Sequence, residues 1–147
     1  MQLGDNRIVP VVVIERADRA AGLGEALVAG GIPVAEVTLR TAAGIDAIAA
    51  MAENSDLLMG AGTVLTADQV DRAVDAGARF IVSPGLNPRV VERALARGVD
   101  VVPGTVTPSE IMAALELGLT TLKFFSADVY GGVKALKALG APFGGVR

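Results

Sequence analysis

Lys123 stands in TTLKFF (120–125), a run that otherwise reads as a buried β-strand. Desolvating an ammonium is costly, so a lysine in such a place needs a partner, an escape to solvent, or a task. The other two lysines, Lys134 and Lys137, lie in GGVKALKALG (131–140), whose amphipathic helical spacing turns them to solvent. A desolvated amine beside another cation sheds its proton and can attack a carbonyl to form a Schiff base, and Arg40 would be that cation. The plainer readings are a side chain that snorkels outward or one that pairs with Glu36.

Glu36 and Arg40 come from a second apolar run, VAEVTLRT (34–41). Glu36 would serve either as a counter-ion or as a general acid/base for carbinolamine formation and carbon–carbon cleavage. Arg40 would be a strand-end surface charge, or a fork for a substrate carboxylate. The chain contains no histidine and no cysteine. Thiolate chemistry and the commonest metal ligands are thereby excluded, and proton transfer falls to Asp, Glu, Lys, Tyr or water. GAGTVL (60–65) begins like a dinucleotide fingerprint, but Leu65 stands where a third glycine is required, so a Rossmann site is rejected. Its small residues are expected to let a ligand approach the backbone, with the Thr63 hydroxyl at hand. SPG (83–85) and PGTVTP (103–108) read as strand-to-helix turns on the same rim.

The elements that must position these residues recur along the chain. Apolar runs begin at residues 9, 34, 56, 79, 100 and 120, each start 20 to 25 residues after the last. Gly31, Asn54, Gly77, Gly98 and Gly118 precede the later five as helix stops. Helix starts are marked by Thr66 with Gln69, by Asn87-Pro88, and by Thr107-Pro108 with Glu110 as a capping box. Alternating strands and helices of this period form βαβ units with a parallel sheet, either open and doubly wound or closed as a barrel. Residue parity favours the barrel. Glu36, Thr38 and Arg40 share one strand face opposite Val37 and Leu39, while Thr121, Lys123 and Phe125 oppose Leu122 and Phe124. Each strand thus offers an apolar face to helices and a polar face to an interior that opens at the strands' C-terminal ends. The expectation is an α/β TIM-barrel domain over 1–147 with about six βα units, an incomplete barrel truncated at its C-terminus.

Composition narrows the function classes further. The 147 residues are 52% hydrophobic and only 20% charged, so the low hydrophobicity and high charge of a disordered chain are both missing. The 3% aromatics and 18 glycines fit an α/β protein built from Ala, Val, Leu and Ile. The net charge is −3 and basic residues do not cluster, so the footprint of a nucleic-acid binder is missing. No apolar run reaches membrane-spanning length, and MQLGDNRIVP lacks a signal-peptide pattern, which leaves the cytoplasm as the expected location.

Taken together, EVTLRT, GAGTVL, SPG, PGTVTPSE and LKFF…GGVKALKAL resemble the 2-keto-3-deoxy-6-phosphogluconate and 4-hydroxy-2-oxoglutarate aldolases, in order and spacing, over nearly the whole chain. The resemblance implies a (β/α)8 barrel, a homotrimer in the intact family, and a class I aldolase that needs no metal or other cofactor. Its products would be pyruvate with glyceraldehyde 3-phosphate or glyoxylate. By motif, Lys123 would form the Schiff base and Glu36 would move protons. Arg40 and Thr63 would hold the pyruvyl carboxylate, and Pro84 and Phe125 would line the pocket. Two departures stand out: Ser126 replaces the family's usual proline after KFF, and the family's phosphate-binding loops follow strands seven and eight. The alternatives are a non-catalytic barrel fragment and a phosphate-binding barrel isomerase or epimerase.

Overall fold

A computed structural model of the chain describes Leu3 and residues 6–147. Part of the amino-terminal segment read above for a signal pattern therefore lies outside the described residues. Six strands alternate with helices: β1 (Val11–Val12), α1 (Ala20–Ala29), β2 (Val34–Thr38), α2 (Gly44–Ala52), β3 (Leu58–Gly62), α3 (Ala67–Asp75), β4 (Phe80–Ser83), α4 (Pro88–Ala96), β5 (Asp100–Thr105), α5 (Pro108–Glu116), β6 (Lys123–Phe124) and α6 (Gly132–Gly140). All pairings are parallel and the spatial order is β1-β2-β3-β4-β5-β6. A doubly wound sheet reverses its strand order at a switch point. This one never does, and it curls as an incomplete barrel.

The local signals act as their chemistry dictates. Thr66 accepts from the Gln69 N–H, Asn87 from Arg89, and Thr107 from Glu110, whose carboxylate returns the bond to the Thr107 N–H. At the other ends, Gly31, Gly77, Gly98 and Gly118 hold φ between 72° and 102°. The next residue then donates back to the carbonyl five positions earlier, as Ala78 does to Ala73 and Val99 to Ala94. Asn54 stops its helix differently, through a side chain that accepts from the Asp56 N–H. The outer strands are shorter than their apolar runs suggest, because each has a strand neighbour on one side only. Backbone bonds from Arg147 to Thr120 and from Leu122 to Arg147 hold the start of the sixth run.

Two buried clusters record the two faces of the sheet. Ala35, Val37, Met59, Ala61, Ile81 and Val101 pack outward among helical residues such as Ile48, Met51, Val70 and Val90. Val34, Phe80, Val82 and Val102 pack inward. The Phe80 ring is completely buried, which contributes about 2–3 kcal/mol, and it lies where a side chain on its strand partner Gly60 would be.

Candidate active site

Strand alternation puts Glu36 and Lys123 on the inward face, and the curl brings them together. Lys123 Nζ lies 3.7 Å from Glu36 Oε1, an ion pair too long for a hydrogen bond. Glu36 is buried at 4% exposure, whereas the Lys123 side chain keeps 23%. Burial raises the Glu36 pKa above the usual carboxylate value, against the opposing pull of the Lys123 and Arg40 charges. A carboxyl moved in that direction both gives and takes protons more readily at working pH. Lys123 Nζ also stands 4.7 Å from the centre of the Phe125 ring, which belongs to the turn that follows β6 rather than to the strand face.

Arg40 differs from its expected placement. β2 ends at Thr38, so Arg40 belongs to the following turn rather than to the strand face, and it is exposed. From there its Nε donates to Thr63 Oγ1 at 3.2 Å, and its terminal nitrogens make no hydrogen bond to the described residues. Thr63 is held at φ 57°, a left-handed conformation that is strained for a β-branched residue. The arrangement sets an exposed cation and a hydroxyl just beyond the C-terminal end of β3.

The glycines of GAGT have a use the sequence did not reveal. Rather than opening the backbone to a ligand, both spaces are filled by protein side chains. The Phe80 ring lies over Gly60, and the Glu36 carboxylate lies over Gly62, where a Cβ would collide with it. The available signal was glycine at alternate positions of one strand. Pro84 joins the cluster indirectly. It lines a separate surface hollow with Val64, Ser83, Leu86 and Glu110. Its carbonyl packs against Gly104, which is the register partner of Lys123. Among the described residues no group of His, Cys, Asp or Glu is placed to hold a metal ion, and no helix is long and apolar enough to cross a membrane.

A buried carboxyl beside an amine, with an exposed guanidinium and a hydroxyl nearby, is a constellation able to condense an amine with the carbonyl of a keto acid. Comparison with known proteins shows the family. The chain is 48% identical over 142 residues to a 2-dehydro-3-deoxy-phosphogluconate aldolase of Treponema pallidum, covering 96% of this chain and 68% of that protein. It is 45% identical to a KHG/KDPG aldolase of Escherichia coli K12, covering 95% and 66%. The KDPG aldolase of Legionella pneumophila, solved with pyruvate captured as a covalent carbinolamine, superposes with a TM-score of 0.90 at 41% identity, covering 95% and 68%. The chain therefore spans about two thirds of the length of the relatives it matches. The family model for KDPG and KHG aldolase matches residues 1–147, and the chain belongs to that family.

Proposed function

We propose that this chain carries the pyruvate-binding half of a class I aldolase that cleaves 2-keto-3-deoxy-6-phosphogluconate, 4-hydroxy-2-oxoglutarate, or both. Lys123 is the nucleophile, whose amine adds to the keto carbon and becomes an imine. Glu36 moves the protons of carbinolamine formation, dehydration and carbon–carbon cleavage. Arg40 and Thr63 hold the pyruvyl carboxylate and Phe125 bounds the pocket, while Pro84, which lines a separate hollow, borders it only through its carbonyl against Gly104. The observation that carries this reading is the buried Glu36 carboxylate 3.7 Å from Lys123 Nζ, in a chain without histidine or cysteine. The carbinolamine captured in the Legionella relative supports the same chemistry. A homotrimer acting in the cytoplasm belongs to the same proposal.

The test uses pyruvate alone, because every residue named here lies within the six strands and their turns. Borohydride with pyruvate is expected to fix a three-carbon adduct on Lys123, located by peptide mass mapping. Lys123→Arg keeps a cation beside Glu36 but is expected to give no adduct. A folded wild-type chain that forms none overturns the proposal.

A further inference from the structure

Thr38 is completely buried, yet its hydroxyl makes no hydrogen bond to the described residues. Glu36 Oε1 is in the same condition, with only the long ion pair to Lys123. Strand alternation sets the two on the same inward face of β2. Thr38 pairs in register with Gly62, and the Glu36 carboxylate occupies the space that a side chain on Gly62 would fill. Adjacent strands lie about 4.8 Å apart, a span that one bridging water covers. Burying an unpaired hydroxyl is unfavourable, and valine would fill the same volume without that cost. A water that accepts from the Thr38 O–H and donates to Glu36 Oε1 pairs both atoms. Lys123 Nζ, 3.7 Å from Glu36 Oε1, would be its third partner, in keeping with the roughly three usual for a buried water.

We infer that Thr38 is a positioning residue that, with Glu36, holds the water exchanged when an imine forms or hydrolyses at Lys123. The inference rests on the imine chemistry proposed above. In the forward direction Lys123 Nζ adds to the keto carbon to give a carbinolamine. The carbinolamine C–O bond then breaks, and its hydroxyl leaves with a proton from the Glu36 carboxyl. The nitrogen lone pair closes the C=N bond, yielding the protonated imine, one water and the Glu36 carboxylate. Hydrolysis returns the same water to the imine carbon, with its proton passing to Glu36. Thr38 fixes where that water stands as it arrives and departs.

The experiment mixes the full chain rapidly with pyruvate, quenches with borohydride at successive times, and follows the Lys123 adduct by intact mass. Thr38→Val is expected to slow adduct appearance by about tenfold to a hundredfold while leaving the final yield unchanged. Its thermal midpoint should be no lower than that of the wild type. Thr38→Ser, which restores the hydroxyl, should recover the rate to within about threefold of wild type. A valine variant that traps at the wild-type rate overturns the inference, as does a folded serine variant as slow as the valine one. A wild type that forms no adduct overturns the aldolase reading itself, an outcome distinct from either of these.

Discussion

Gly62→Ala separates the position of Glu36 from its identity. Gly62 does not have a positive φ, so alanine can adopt the same backbone. The added methyl would meet Oε1, Cδ and Cγ of Glu36 together, which requires the side chain to leave as a whole rather than rotate its tip. Overpacking of this kind costs about 1–3 kcal/mol. Moving the carboxylate toward water relieves the burial that raises its pKa, so the net loss should fall near the lower end, about 1 kcal/mol. The chemical consequence is much larger. A positioned acid/base contributes about 10²–10⁴ in rate, equivalent to roughly 3–5 kcal/mol of barrier. Exchange of the pyruvate methyl protons in D2O, followed by NMR, reads that step, and urea unfolding reads stability. Gly22→Ala provides the comparison. Gly22 lies in α1 with nothing within 4 Å of an added Cβ, and the change should add about 0.5–1 kcal/mol with exchange unaffected. If Gly62→Ala exchanges protons within about threefold of wild type, the placement of Glu36 against β3 is not what its chemistry depends on.

Two further substitutions test the electrostatics and the strain. Burial holds the folded-state pKa of Glu36 above its ordinary 4.5, so the folded state binds this proton more tightly than the unfolded chain does. Its contribution to stability is therefore most favourable below that value and declines as pH rises through the higher folded pKa. Glu36→Gln removes the titration, so its stability relative to wild type should climb across that window and stay raised above it. A series of urea midpoints against pH checks this, and a difference that stays flat or falls refutes it. Thr63→Gly releases about 1–3 kcal/mol of backbone strain, less about 0.5–1 for glycine's freedom in the unfolded chain. The variant should be more stable while the pyruvate concentration for half-maximal trapping rises about tenfold, because Arg40 loses its hydroxyl partner. A less stable variant would contradict the strain argument.

The features legible in the sequence were those set by local rules. Period-two alternation placed Glu36 and Lys123 on inward faces, and short side-chain patterns marked the starts of α3, α4 and α5. What escaped depends on distant parts of the chain. The end of β2 at Thr38 moved Arg40 into a turn, and the two glycines of β3 proved to accommodate side chains from the neighbouring strands β2 and β4. No local rule reports which neighbour's side chain will lean across a glycine.

The Lys123–Glu36 pair is the sharpest case, because its partners belong to β6 and β2, four strand spacings apart in the sheet order. A flat sheet would separate those strands by about 19 Å, more than a lysine and a glutamate together can span. The 3.7 Å contact therefore measures curvature, and curvature is a sum of small twists over β3, β4 and β5. The completely buried Phe80, seated over Gly60, fills the inside of that bend. The small residues of β3 thus serve the site twice. They admit the ring that fills the concave side, and they leave room for the carboxylate that the bend delivers to the lysine. The chemistry legible in TTLKFF depends on a strand sixty residues earlier that carries no reactive group of its own.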